Sequence, residues 1–187
     1  MTAKDFAEQY ALMPLRETKG QNRSPEIDAF NLACGVPLGS PYCASGISFC
    51  FRRCQKLNLI RFPYTASSQA MRKEFERRGK FTWLAESLMQ WKGAIGGWTN
   101  ADGVHGHVFF VTERLTDRHG DVVGIRTIEF NTDLAGDREG QGCYKLTRRL
   151  GVDGNWYVED ANGRLTGIGR KLWFCDVSDF PGGAWWK

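Results

Sequence analysis

Apolar residues recur at helical spacing through the first half of the chain and alternate with polar ones through much of the second. Residues 4–13 read as a short helix. Ser24 and Pro25 precede EIDAFNLACG, where Ile27, Phe30 and Leu32 are apolar. This predicts a second helix, capped by Ser24 and ended at Gly35. VPLGSP is a loop. From Tyr42 to about Leu57 the apolar pattern returns at Ile47, Phe49, Cys50 and Cys54. It predicts a third helix whose first turn carries Cys43. Residues 68–78 and 80–90 read as two more helices with polar breaks between them.

The second half changes period. GHVFFVTERL and VVGIRTIEFNTD are rich in β-branched and aromatic residues and are joined by the turn-forming DRHGD, so they predict a hairpin. Further strands are expected at GCYKLTRRL and NWYVEDA, with Asn162-Gly163 as a turn. The C-terminus is rich in Trp, Gly and Pro. N-terminal helices packed on a C-terminal antiparallel sheet make the fold class α+β.

At 187 residues the chain fits one domain, 1–187, and is long enough to bury a core without staples. Its 42% hydrophobic and 25% charged residues are those of an ordinary globular protein. No run approaches the roughly 20 apolar residues of a membrane span. The first residues include Asp5 and lack an apolar core with a cleavage site. Cytoplasmic synthesis without a signal peptide is therefore expected. A target outside the membrane would be reached only after release or delivery. The net charge of +4 is mild and would aid approach to an anionic polymer. Nucleic-acid binding is disfavoured, since no basic–aromatic motif occurs. A monomer is expected. Arg72-Lys73 and Arg77-Arg78, interleaved with Glu74 and Glu76, read as one exposed helix face. The six cysteines have no arrangement with His105, His107 and His119 that matches zinc-ligand spacing. Buried thiols are the expectation for Cys50 and Cys54, and neither metal nor cofactor is expected.

Cys43 stands out because a loop holding Pro37, Gly39 and Pro41 leads straight into its helix. At a helix N-terminus the macrodipole and unpaired N–H groups stabilise a thiolate, and the same N–H groups can bind an oxyanion. A nucleophilic Cys needs a base that is remote in sequence and near in space. His107 opens a strand, where alternation puts it on one face with Phe109 and Val111. His105 lies in the preceding loop, and His119 sits in the exposed turn. With the hairpin turn near Arg118-His119, paired residues sum to roughly 237–239, so His107 faces about residue 131. Thr127, Glu129 and Asn131 share that face. Asn131 is the nearest by this arithmetic, and both Glu129 and Asn131 could orient the imidazole.

GSPYCASGISFCFRR resembles the nucleophile segment of the CHAP family, the cysteine- and histidine-dependent amidohydrolase/peptidases. GHVFFV is similar to that family's histidine strand, and TIEFNTD to the strand that follows it. ETKGQNRSPEIDAF upstream and REGQGCYKLTRRL downstream resemble a phage and bacterial branch of the family. The resemblance runs from about Glu17 to Leu150, leaving 151–187 as additional strands or a Trp-rich extension. It implies a papain-like fold and endolysin-like cleavage of an amide bond in peptidoglycan, by an N-acetylmuramoyl-L-alanine amidase or an endopeptidase. It implies that Cys43 attacks, His107 shuttles the proton, Glu129 orients His107 and Asn131 gives further polar support. The chain departs from the family in three places. Phe130 stands where that branch usually has Gly, so it is expected to fill part of the subsite. Pro41 has no N–H to offer an oxyanion, and no acidic calcium-binding loop precedes Cys43.

Two other readings use the same residues. A papain-like hydrolase with a non-wall substrate (a deamidase, protease or toxin) would need the same Cys43 and His107. A binding module would use Trp156, Trp173, Trp185 or Trp186 to stack on sugars, although core packing is the expected role of Trp156 and Trp173.

Overall fold

A computed structural model of the chain describes residues 1–13, 15–55 and 61–186. The N-terminal third forms helices α1 (Ala3–Leu12), α2 (Pro25–Ala33), α3 (Cys43–Cys54) and α4 (Ser68–Arg77). Ser24 caps α2, its side chain accepting from the Ile27 N–H at 3.2 Å. The α2 helix closes at the Cys34 cap, with Gly35 in the left-handed region. Leu57, the expected end of α3, lies outside the described residues.

The segment 80–90 is not a helix. Gly79, at φ +67°, follows the α4 cap, and Phe81–Thr82 then forms a short strand, β1. Only Ala85–Gln90 coils, as a 3₁₀ helix. The register partners Phe81↔Cys175 and Thr82↔Phe174 explain the change. The C-terminal part of the chain captures this segment as an edge strand, a pairing that local periodicity does not carry.

The remaining strands are β2 (Ala94–Thr99), β3 (Gly106–Thr116), β4 (Val122–Thr132), β5 (Arg138–Leu150), β6 (Trp156–Glu159), β7 (Leu165–Arg170) and β8 (Trp173–Asp176). Among the described residues they form one antiparallel sheet in the order β1-β8-β2-β3-β4-β5-β6-β7. The protein is thus α+β, with N-terminal helices packed against an open eight-stranded sheet. The C-terminal residues are integral to it, because β8 lies between β1 and β2. No described helix is long and apolar enough to cross a membrane.

The sheet has an apolar layer on each face. Val108, Phe110, Ile128 and Phe130 pack under α1, α2 and α3, while Trp98, Phe109, Val111 and Phe174 form a second cluster. Alternation along β3 produces this division, sending successive side chains to opposite faces. The Gly96-Gly97 pair inside β2 follows from the aromatic packing. A Cβ at Gly96 would sit 2.8 Å from the Phe109 ring, and one at Gly97 would sit 2.5 Å from the Trp173 ring and 2.2 Å from the His107 carbonyl oxygen.

Phe130 belongs to the helix-side core and does not fill the subsite. It is fully buried, with ring centroids 5.5 Å from Phe30 and 6.0 Å from Tyr10. Its neighbour on α3 is Gly46, where a Cβ would lie 2.7 Å from the Phe130 ring. A large side chain at 130 is therefore matched by a missing one at 46. Gly46→Ala is expected to lower stability by about 1–3 kcal/mol through overpacking, despite alanine's better helix propensity. Denaturant unfolding measures the change, and a stabilised Gly46→Ala protein would refute the packing account.

The four tryptophans considered as sugar platforms all serve the fold. Trp156 and Trp173 are buried. The indole N–H of Trp185 donates to the Val111 carbonyl and that of Trp186 to the Thr112 carbonyl, each at 3.0 Å. These bonds lie where the β3–β4 register shifts between Val111 and Glu113, so the tail pins a bulge.

Candidate active site

Cys43 is the first residue of α3 and lines a cleft of about 450 Å³. The helices around it differ in one respect. Thr2, Ser24 and Ser67 cap α1, α2 and α4 with their side chains, whereas Tyr42 gives α3 no side-chain cap. The first turn of α3 also carries no acidic residue. The positive end of this helix thus carries no side-chain cap and no carboxylate of its own beside the thiol. Tyr42 is instead buried, its hydroxyl donating to the Gly142 carbonyl at 3.3 Å, which ties the head of the helix to β5.

His107 is fully buried on β3, opposite Trp98 of β2. The indole lies against the imidazole, with ring centroids 4.6 Å apart. Its Nε2 stands 3.2 Å from Glu129 Oε2. This is an ion-pair contact without hydrogen-bond alignment, and neither ring nitrogen makes a well-directed bond. Loose contacts of this kind are common in resting catalytic sites. Burial disfavours the imidazolium, but the neighbouring Cys43 thiol and the Glu129 carboxylate outweigh it, and the pKa of His107 is raised above the usual histidine value. With Nε2 turned to Glu129, Nδ1 is the nitrogen left for the thiol. The thiols of Cys34, Cys50, Cys54, Cys143 and Cys175 are pushed up, in each case chiefly by burial.

Glu129 is fully buried on β4. Its Oε1 accepts from Thr127 Oγ1 at 2.6 Å and from Arg148 Nε at 2.8 Å, and its Oε2 accepts from Arg148 Nη2 at 2.9 Å. Burial alone would keep its proton on. The Arg148 guanidinium and then His107 reverse this and bring its pKa down to about 2.

Asn131 makes no hydrogen bond to His107, and a break in register accounts for it. The β3–β4 partners near the site sum to 238, as in Phe110↔Ile128 and Val111↔Thr127, within the expected range. Asn131, however, sits at φ +56° where the β4–β5 register shifts between Phe130 and Thr132. The bulge takes it out of the alternation that would have set it beside His107. It is buried, and neither polar atom of its side chain has a hydrogen-bond partner. Glu129, diagonal to His107 across the pair, is the residue that contacts it.

His105 is exposed and bound through Nδ1 to Asp102 at 2.6 Å on the cleft rim, and His119 is exposed in its turn. No group of three or more His, Cys, Asp or Glu that could hold a metal ion occurs among the described residues.

Two residues of the site escape a reading of the sequence. Arg148 is buried and holds Glu129, and Trp98 walls the imidazole. Arg148 shares strand parity with Tyr144 and Leu146, so alternation could have put it on an inner face; its pairing with Glu129 depends on the β4–β5 register. Trp98 follows the glycine pair, which hid β2. In comparisons with known proteins, no family model and no curated protein matches the chain.

Proposed function

We propose that the protein is a papain-like cysteine amidohydrolase/peptidase that cleaves an amide bond of peptidoglycan, as its resemblance to the CHAP family implies. The observation that carries this reading is Cys43 at the uncapped head of α3, in a cleft and beside a buried imidazole whose far nitrogen faces a carboxylate. A helix headed by the nucleophile and packed on an antiparallel sheet that carries the base is the papain-like arrangement. Ser40, Ser67, Ser68, Thr65, Ala66 and Gly106 give the cleft a small, hydroxyl-rich lining suited to an extended peptide.

The steps follow from these positions. The Cys43 thiolate attacks the carbonyl carbon, and the Cys43 N–H binds the oxyanion. The C–N bond breaks as His107 gives its proton to the leaving amine, which leaves a thioester on Cys43. Water, losing a proton to His107, attacks the thioester; the carboxylic acid departs and the thiol–imidazole pair is restored. Glu129 holds the ring in place and stabilises its charged form.

Mass spectrometry of the products from purified peptidoglycan tests the reading. Soluble fragments absent from a Cys43→Ala control are expected. A free alanine amino terminus would define an amidase, and cuts within the stem or bridge an endopeptidase. No Cys43-dependent release from peptidoglycans of different cross-link chemistry would reject the wall as substrate.

A further inference from the structure

We infer that Arg148 is a positioning residue for the Cys43–His107 pair, keeping the buried Glu129 an aimed carboxylate. The inference rests on the hydrolase reading above and concerns how its dyad is held in working order.

The geometry is that of a clamp. Arg148 is 1% exposed, Glu129 is fully buried, and two parallel bonds of 2.8 and 2.9 Å join them. A third bond runs from Arg148 Nη2 to the Gly136 carbonyl at 3.2 Å. Gly136 is fitted to it, since a Cβ there would lie 2.8 Å from Nη2. The guanidinium lies over the Trp98 ring at 4.8 Å and the Phe109 ring at 5.3 Å. Trp98 also flanks His107, so one indole fixes both the cation and the base. Thr127 and Arg148 occupy Oε1, which leaves the outer side of Oε2 for His107.

A buried ion pair is seldom more stabilising than well-packed apolar residues of the same size. Packing alone therefore does not account for it, whereas the chemistry does. A carboxyl group buried without a cation holds its proton, and a neutral acid would not stabilise the imidazolium. The other charged or titratable neighbours do not supply the missing charge. His107 comes from β3, with Cys43 acting on it from α3. Cys143 and Tyr144 of β5 stand near Glu129, the latter as its register partner. Arg170 of β7 lies over Trp98, 5.5 Å from its ring, and donates from Nη1 to Asn100 Oδ1 at 3.1 Å.

The test is the pH dependence of Cys43 alkylation by iodoacetamide in the full-length protein, which needs no substrate. Losing the Arg148 charge removes a cation and lets Glu129 protonate. Both changes make the thiolate harder to form, so the acid limb moves upward in pH. In folded Arg148→Gln the midpoint should rise by about one pH unit or more, a roughly tenfold loss of rate on that limb. Arg148→Lys, which keeps the charge, should recover most of the shift. A merely structural arginine would lower the melting temperature and leave the midpoint of the folded protein where it was. That result, beside a reactive wild-type Cys43, overturns the role of Arg148 alone. A wild-type Cys43 no more reactive than an ordinary thiol overturns the hydrolase reading as well. If Arg148→Gln does not fold, the carboxyl ¹³C shift of Glu129 in the wild-type protein decides. It should stay that of a carboxylate down to about pH 4, and a titration at or above the ordinary glutamate range overturns the inference.

Discussion

Cys43→Ala is expected to reduce peptidoglycan hydrolysis to background, a loss of at least about 10³-fold, while the protein remains folded. In the proposed mechanism the thiolate is the group that forms the covalent bond. Among the other cysteines, Cys50, Cys143 and Cys175 are buried within the protein, and the thiols of Cys34 and Cys54 are also pushed up by burial. None of them heads a helix. Cys43 is 6% exposed at the cleft, so removing its sulfur should cost no more than about 1 kcal/mol. Matched thermal melts and turnover assays check both halves. A folded Cys43→Ala protein with one per cent or more of wild-type turnover, by the order of magnitude expected for a nucleophile, would remove Cys43 from the chemistry.

Glu129→Gln should have the second largest effect, on two measurements at once. Stability should fall by about 3–5 kcal/mol, because the substitution leaves the Arg148 charge buried without its counter-charge. Hydrolysis should fall by roughly tenfold or more, since the imidazolium loses its carboxylate and His107 gives up its proton at lower pH. The acid behaviour fixes the sign. The Glu129 pKa is depressed in the folded protein. Its contribution to stability is therefore present above the unfolded carboxyl value of about 4.3 and is lost as the pH falls toward the folded one. The gap in stability between wild type and Glu129→Gln should narrow from about pH 4 downward. Asn131→Ala, by contrast, should change the rate little. Full activity in Glu129→Gln beside an inactive Asn131→Ala would transfer the orienting role to the amide.

The helix starts and the long hairpin were legible because they depend on neighbours in sequence. Ser24 and Pro25 announce α2, and DRHGD turns β3 into β4 with Asp117 accepting from the His119 and Asp121 N–H groups. Alternation from His107 to Val111 set the face of His107 correctly. Local reasoning failed at residues 80–90 and at Asn131, and the subsite role expected of Phe130 from the family resemblance does not hold, although alternation had set its face. In each case the outcome depends on a distant partner: β8 pairs with residues 81–82, Gly46 makes room for the Phe130 ring, and a bulge against β5 turns Asn131 aside.

The sequence by itself determined that a cysteine heads a helix, that a histidine opens a strand, and that Glu129 shares the histidine's face. Caps, turn residues and side-chain period act over a few residues and leave a local trace. Only the tertiary structure decided that Glu129 and not Asn131 meets His107, that Arg148 clamps Glu129, and that Trp98 walls both sides of the site. Those contacts join strands through register, and one bulge residue shifts every pairing beyond it. Their energies come from burial of charge and close packing, which depend on the whole sheet being assembled.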